Sequence, residues 1–192
     1  MEDLQLCNAL YEESKLLIEE EKYEEAVGFL EQAHEMYKGN TDYTYVAAYA
    51  LYKLQKLEEA AKKIGWSLAL EPFQSDYYVL AGNIAYKRED FEKGIEFYNK
   101  ALQYQDSTEV AINELDCVYN RANCYLNLAN YENAARDYSS VLSIDKENFM
   151  AFHNRGLARL KLGRTEQACA DFDAAVSTGS GISDKYRKRH CE

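Results

Sequence analysis

The sequence predicts an all-α fold, a solenoid of stacked helix–turn–helix units, from two observations. The first is a period of 34 residues. Residues 115–182 divide into two blocks of this length that align without a gap, so that Phe172 is at the position equivalent to Tyr138. The second is that apolar residues recur at helical spacing within a block, as Ala134, Tyr138 and Val141 do. A fixed period of this length is typical of repeats that stack on their neighbours, and not of one globular core.

Five repeats cover almost the whole chain in this register. They span residues 7–40, 41–74, 75–108, 115–148 and 149–182, and six residues, 109–114, are inserted before the fourth repeat. Small residues occupy positions 8 and 20 of every repeat: Ser14, Ala48, Gly82, Ala122 and Gly156, then Ala26, Ala60, Gly94, Ala134 and Ala168. They let paired helices approach closely, and a large residue at position 24 fills the space beside them. Because stacked repeats contact only their neighbours, we expect a single domain over residues 1–192.

Each repeat is expected to contribute two helices, separated by a polar or glycine-containing corner at positions 14 to 17. In the first three repeats the expected helices lie near residues 3–20 and 24–37, 42–54 and 58–70, and 76–88 and 92–104. In the last two repeats they lie near residues 107–128 and 131–144, and 149–161 and 165–177.

The inserted residues are expected to lengthen the first helix of the fourth repeat at its N-terminus. Asp106 and Glu109 have the spacing of a capping box, and the six inserted residues make about 1.7 helical turns. A flexible loop is the alternative. After the fifth repeat, residues 177–184 are expected to form a loop, and residues 183–192 a short helix or a frayed tail.

The blocks resemble tetratricopeptide repeats. The pattern of that family is a large residue at position 4, Leu-Gly at 7 and 8, aromatic residues at 11, 17 and 24, Ala at 20 and 27 and Pro at 32. The pattern is nearly reproduced by residues 82–102, GNIAYKREDFEKGIEFYNKAL. The resemblance implies a right-handed α-solenoid in which repeats 1 and 5 are atypical end repeats. The departures are Glu13, Arg121 and Arg155 at position 7, Thr165 at position 17, and a terminal proline only at Pro72.

Charge is distributed unevenly along the chain, whose net charge is −11. Residues 1–40 carry a net charge of −8, whereas residues 149–192 carry +3. An acidic chain repels phosphates, so we expect no nucleic-acid partner, and the acidic run at 19–25 is interpreted as a solvated helix corner. Four bases near the C-terminus either solvate the end of the solenoid or form an electrostatic contact site: Lys185, Arg187, Lys188 and Arg189.

The five cysteines, at positions 7, 117, 124, 169 and 191, are odd in number and lack a CxxC pair. This pattern predicts neither a disulfide framework nor a zinc site, and it favours free thiols in a reducing, cytoplasmic compartment. Cys117 and Cys124 share a helical face and are interpreted as structural thiols, with metal coordination as the alternative. No run of apolar residues has the length of a signal peptide or a membrane span, which predicts no membrane insertion; an exported fragment without its signal is the alternative.

No set of residues in the sequence predicts catalysis. The histidines His34, His153 and His190 lie in distant parts of the repeat order, and no glycine-rich phosphate loop, HExxH or GxSxG motif is present. We therefore expect a protein that is not an enzyme and that binds no cofactor or metal.

The resemblance implies that positions 2, 5, 6, 9, 12 and 13 of the first helices face a ligand in a concave groove. Tyrosine offers a large contact area with few rotamers, and asparagine amides pair with a peptide backbone. The alternative is that the tyrosines only fill space between repeats. The predicted groove residues are Tyr11, Tyr45, Tyr49, Tyr52, Asn83, Tyr86, Tyr119, Asn120, Asn123, Asn127 and Asn154.

A family specialisation, the carboxylate clamp for chaperone tails, requires lysine and arginine at defined groove positions. Here those positions carry Val79 and Asn83, then Asn120, then Met150 and Asn154, so the amides match and the cations are absent. The sequence therefore predicts a binding module or adaptor that holds a protein or peptide segment, and not a clamp for a terminal carboxylate. The alternative is a structural component that assembles end to end through its acidic first and basic last repeats.

Overall fold

The computed structural model describes residues 2–105 and 112–191, and these residues form eleven α-helices and no strand. The all-α prediction is confirmed, and the bounds of α1–α6 and α8–α10 lie within one residue of those predicted. The helices are α1 (Glu2–Glu19), α2 (Tyr23–Met36), α3 (Thr41–Lys53), α4 (Leu57–Leu70), α5 (Ser75–Lys87), α6 (Phe91–Tyr104), α7 (Ile112–Asn127), α8 (Tyr131–Ile144), α9 (Phe149–Lys161), α10 (Thr165–Ser177) and α11 (Gly181–His190).

Two predictions near the insertion and the C-terminus have different outcomes. The expected start of α7 near residue 107 lies outside the described residues, although α7 has 16 described residues where α3, α5 and α9 have 13. The predicted loop over 177–184 is wrong from Gly181 onward, because α11 begins there. Ser180 caps this helix: its side chain accepts a hydrogen bond from the backbone N–H of Ser183 at 3.4 Å.

The helices group into two compact units, residues 1–90 with α1 to α5 and residues 91–192 with α6 to α11. Within each unit every helix contacts the next one along the chain. The first helices of neighbouring repeats also meet, α3 with α5 in the first unit and α7 with α9 in the second. A single solenoid domain over residues 1–192 stays a prediction.

Small residues occupy the helix–helix contacts as predicted. The ten residues at positions 8 and 20 are all buried, and so are the large residues at position 24, among them Leu30, Tyr98 and Phe172. Gly156 shows why a small side chain is needed, because a Cβ atom there would lie 2.7 Å from Cε1 of the fully buried Phe172 ring. A contact that close forces the ring to move.

The corner between the two helices of a repeat has the same backbone conformation in all five repeats. Position 15 is left-handed each time, with φ between 57° and 75°. The next residue then donates its backbone N–H to the carbonyl five residues earlier, at 2.8 to 2.9 Å. These features define a Schellman ending, which satisfies carbonyls at the end of the first helix. The left-handed residues are Glu21, Gln55, Glu89, Ala129 and Gly163.

Arginine at position 7, a departure from the family pattern, has a structural partner within its own repeat. Arg121 donates from Nε and Nη2 to the buried carboxylate of Asp137 on α8, at 2.7 and 2.9 Å. Its Nη1 donates to Asn99 Oδ1 on α6 at 2.7 Å. One guanidinium therefore links three helices.

The same arrangement recurs in the last repeat. Arg155 donates to both oxygens of Asp171 on α10, at 2.7 to 3.2 Å, and to Ser139 Oγ on α8 at 3.0 Å. Arg159 adds a second cation, with Nη1 at 2.8 Å from Asp171 Oδ2. The side chain of Asp171 is 3% exposed, so its negative charge is held in the interior by two guanidinium groups.

The expectation of five free thiols is wrong for two cysteines. Cys169 on α10 and Cys191, which follows α11, form a disulfide that closes a sequence separation of 22 residues. The pairing depends on α11 folding back along α10, a long-range contact that spacing alone does not reveal. Cys7, Cys117 and Cys124 are buried and lie outside the disulfide.

Candidate functional site

In the first unit the predicted groove residues lie on the first helices α1, α3 and α5, and all of them are partly buried. The ring of Tyr11 lies 5.5 Å from that of Tyr43, and the ring of Tyr45 lies 4.9 Å from that of Tyr77. In both pairs a tyrosine at position 5 of one repeat contacts the tyrosine at position 3 of the next repeat. Tyr11 and Tyr45 therefore contribute to packing between repeats.

Burial raises the pKa of Tyr45 to about 12, and the nearby charge of Asp76 acts in the same direction. Burial also raises the pKa of Tyr52. Both phenols are therefore neutral and able to donate a hydrogen bond at physiological pH. Tyr49 has a different environment, because Lys53 Nζ lies 5.3 Å from its ring centroid.

In the second unit three of the predicted groove side chains form one network with Tyr138, a buried residue outside the groove list. Tyr138 on α8 donates its hydroxyl to Asn123 Oδ1 at 2.6 Å. Asn154 on α9 donates from Nδ2 to the same oxygen at 3.2 Å and to the hydroxyl of Tyr119 at 3.3 Å. The amides of Asn123 and Asn154 thus fix the tyrosine rings across two repeats, a role that the sequence did not predict.

The other two predicted asparagines of this unit lie beside the network on α7. Asn127 is exposed and donates from Nδ2 to the backbone carbonyl of Asn123 at 2.8 Å. Asn120 is partly buried.

A small pocket of about 120 Å³ opens beside Tyr119 and Asn154. Its mouth carries exposed apolar side chains, Met150 at 51% and Ile182 at 59% exposure. The pocket can accommodate a small apolar group, and the amide of Asn154 in its lining can form a hydrogen bond with a polar one. The remaining lining residues are Phe149, His153 and Ser180.

A larger pocket of about 610 Å³ lies between α7, α8, α9 and α11. Four of its residues occupy groove positions 9, 12 and 13. They would have been found if apolar and basic residues at these positions had been counted together with the tyrosines and asparagines. Three more lie on α11 and were missed because this segment, which was expected to be a short helix or a frayed tail, lies outside the five repeats. The lining residues are Leu126, Tyr131, Leu157, Leu160, Lys161, Tyr186, Arg189 and His190.

His153, at groove position 5, is enclosed by α10 and α11. Its Nδ1 atom lies 2.8 Å from Ser183 Oγ, and its ring packs 5.9 Å from Phe172 and 5.2 Å from Tyr186. This burial lowers the pKa of His153 below its ordinary value. The folded protein therefore binds a proton at this imidazole less readily than the unfolded chain does.

We expect His153 to make the protein less stable in mild acid. The pKa of a histidine in the unfolded chain is about 6.5. The contribution of His153 to stability is therefore fully present above that pH. It decreases as the pH falls from the pKa of the unfolded chain to the lower pKa of His153 in the folded protein. His153→Asn removes the titration while its side-chain oxygen can replace Nδ1 beside Ser183. Urea unfolding at about pH 7.5 and about pH 5.5 should show a smaller pH difference for the variant. An equal pH difference in both proteins would contradict the expectation.

The buried thiols have the environment of packing residues. Cys117 and Cys124 are 2% and 0% exposed, and burial raises the pKa of Cys124 to about 12, so this thiol is neutral. Among the residues that the structure describes, no group of three or more His, Cys, Asp or Glu side chains could hold a metal ion. In the same part of the chain, no helix combines the length and apolar character that a membrane span requires.

A family model for the tetratricopeptide repeat matches residues 11–65, 45–109 and 119–183, which together cover more than half of the chain. The chain belongs to the tetratricopeptide repeat family. The resemblance found in the sequence is thereby confirmed.

Curated relatives are similar to parts of the chain. It is 37% identical over 95 residues to "Translocon at the outer membrane of chloroplasts 64" of Pisum sativum, a match that covers 50% of this chain and 15% of that protein. It is 28% identical over 141 residues to a DnaJ homolog subfamily C member 7 homolog of Schizosaccharomyces pombe, covering 68% of this chain and 30% of that protein. The chain thus spans less than a third of the length of either relative.

Solved structures of tetratricopeptide repeat proteins have the same fold. The crystal structure of YrrB, described as a TPR protein with an unusual peptide-binding site, has a TM-score of 0.82 at 18% identity, covering 94% of this chain and 90% of YrrB. MamA of Desulfovibrio magneticus RS-1 has a TM-score of 0.82 at 14% identity, covering 90% of this chain and 94% of MamA. These similarities confirm the predicted fold class.

Proposed function

We propose that this protein is a non-enzymatic interaction module or adaptor whose first helices bind a segment of another protein. The observation that carries the proposal is the open pocket beside Tyr119 and Asn154, where apolar side chains and an amide meet at the surface. The membership of the tetratricopeptide repeat family adds support. So does the peptide-binding site for which YrrB, a protein of the same fold, is described.

The first helices offer two kinds of contact to such a segment. Tyr49 and Tyr52 on α3 are partly buried, so they can cover an apolar side chain without a large loss of conformational entropy. Asn83 and Asn120 add amide groups at equivalent faces of α5 and α7, which suit the N–H and C=O groups of a peptide backbone. Residues 1–90 carry 18 acidic and nine basic side chains, so the first unit favours segments that are basic or neutral.

End-to-end assembly, the alternative from the sequence, has less support. Two of the four terminal bases already have acidic neighbours in the same chain: Lys188 lies 2.7 Å from Asp184, and Arg187 lies 2.8 Å from Asp184 and 3.7 Å from Asp173. These ion pairs reduce the positive charge available to the acidic first repeat of a second copy. Self-association stays a prediction.

The test selects ligands from a displayed library of random peptides against the full-length chain. The affinity of the enriched peptides is then measured by calorimetry for the wild type, Tyr49→Ala and Asn120→Ala. Each substitution reports on the first-helix face of its own unit. Truncating a binding hot spot costs about 2 kcal/mol or more, so we expect a loss of about 30-fold from at least one of them.

The matched control is Tyr37→Ala, since Tyr37 is 52% exposed and follows the second helix α2. It should leave the affinity within about twofold. Peptides with an amidated C-terminus should bind as well as free acids, because the clamp cations are absent. If no peptide is enriched, or if Tyr37→Ala weakens binding while Tyr49→Ala and Asn120→Ala do not, the proposal is wrong.

A further inference from the structure

We propose that the pocket between α7, α8, α9 and α11 binds an apolar side chain of a partner segment whose neighbouring residues are Asp or Glu. This inference rests on the proposed function and names the chemistry of the segment that the second unit would select. The pocket volume of about 610 Å³ lies within the range of about 300–1,000 Å³ that is typical of ligand sites.

The inner part of the pocket is apolar. Leu126 of α7 and Leu157 and Leu160 of α9 line it and are partly buried, and the rings of Tyr131 and Tyr186 complete the lining. An apolar side chain that enters removes its own surface and theirs from water. Leucine or an aromatic residue suits this volume.

The rim of the pocket is basic. Lys161 at the end of α9 and Arg189 and His190 at the end of α11 are exposed beside the leucines, and among the described lining residues there is no Asp or Glu. In a chain of net charge −11, a basic rim is a local exception. Carboxylates that flank the apolar side chain would meet positive charge here and negative charge over much of the remaining surface.

Two acidic side chains on these helices already have other cationic partners. Glu132 on α8 lies 2.6 Å from Arg164, and Asp184 on α11 lies 2.7 Å from Lys188. These carboxylates are thus partly neutralised before a ligand arrives. The rim cations are left to act on an incoming carboxylate.

The α11 wall of the pocket is fixed in place by two independent contacts. Cys191, next to His190, is covalently joined to Cys169 of α10. Tyr186 packs 5.6 Å from the buried ring of Phe172 and 6.2 Å from the ring of His190. A preformed wall reduces the ordering cost of binding.

The rim differs from the carboxylate clamp in the source of its cations. The clamp positions of this repeat carry Met150 and Asn154, whereas the rim cations come from position 13 and from α11. The site should therefore recognise side-chain carboxylates and not the end of a chain.

The experiment uses two synthetic probes, acetyl-Glu-Leu-Glu-Leu-Glu-amide and its counterpart with Gln in place of Glu. Both lack a terminal carboxylate. The full-length chain with ¹³C-labelled leucine methyl groups is titrated with each probe, and the methyl resonances of Leu126, Leu157 and Leu160 are followed by NMR. We expect saturable shifts with the acidic probe and an affinity about tenfold lower for the Gln probe.

Exposed charges on the rim allow substitutions that do not disturb the core. Lys161→Glu and Arg189→Glu should each lower the affinity for the acidic probe by about tenfold. Lys146→Glu makes the same change of net charge at an exposed residue between α8 and α9, away from the pocket, and should change the affinity by less than about twofold.

Three results would each overturn the inference. They are equal shifts with both probes, no shift of the pocket leucines, and equal effects of Lys161→Glu and Lys146→Glu on the affinity for the acidic probe. Its failure is distinguishable from failure of the proposed function. If selected peptides depend on Tyr49 or Asn120 but the acidic probe does not bind here, the interaction module stands and only the assigned chemistry is wrong.

Discussion

Replacing Asp171 by alanine is expected to lower the free energy of unfolding by about 3–5 kcal/mol, because breaking a buried ion pair leaves uncompensated charge in the interior. The carboxylate of Asp171 is 3% exposed and accepts hydrogen bonds from Arg155 and Arg159. Their side chains are only 15% and 22% exposed, so water cannot replace the lost carboxylate easily. Urea unfolding followed by circular dichroism measures the loss.

Two further variants separate charge from packing. Asp171→Asn keeps the shape and one acceptor oxygen but removes the negative charge, so it should still destabilise, by less than alanine does. Asp173→Ala, two residues away and 62% exposed, should change stability by less than about 0.5 kcal/mol. If Asp171→Ala and Asp173→Ala cost the same, the buried ion pair does not stabilise the fold.

The repeat architecture could be predicted from sequence because it depends on local patterns that recur. Position 8 and position 20 must be small in every repeat, and each corner reverses the chain with the same backbone conformation, as at Gln55 and Ala129. Five copies of one pattern make each assignment more certain than a single copy would.

The arginine–aspartate pairs were not predicted, although both residue types were visible. Arg121 and Arg155 stood out only as departures from the family pattern at position 7. Their partners Asp137 and Asp171 lie 16 residues later, on the other helix of the repeat. A charged residue at a buried position is explained only when its partner is known, and the partner is a tertiary contact.

The start of the C-terminal helix was predicted incorrectly, and this affected the candidate site. Gly179, Ser180 and Gly181 suggested a loop, but Ser180 caps α11 and is buried against Ser183, whose hydroxyl lies 2.8 Å away. Without α11 neither the Cys169–Cys191 disulfide nor the second pocket could be anticipated. Residues on the first helices were located correctly, but their partners in neighbouring repeats, such as Tyr77 beside Tyr45, were not.

The second large effect is expected at Phe172, which joins the last repeat to the helix that forms the pocket wall. Its ring is fully buried, lies against Gly156 on α9, and packs 5.9 Å from His153 and 5.6 Å from Tyr186. Phe172→Ala should lower the free energy of unfolding by about 3–5 kcal/mol. The substitution loses the transfer free energy of the ring and leaves a cavity that these neighbours cannot close.

The measurement for Phe172→Ala is again the free energy of unfolding in urea, with hydrogen exchange as a local readout. Amides of α9, α10 and α11 should exchange faster than in the wild type, since these helices lose their common contact. The matched control is Phe73→Ala, the same substitution at a side chain that is 71% exposed, for which the change should stay within about 0.5 kcal/mol. Equal costs for the two phenylalanines, or unchanged exchange in α11, would show that Phe172 does not hold this helix in place.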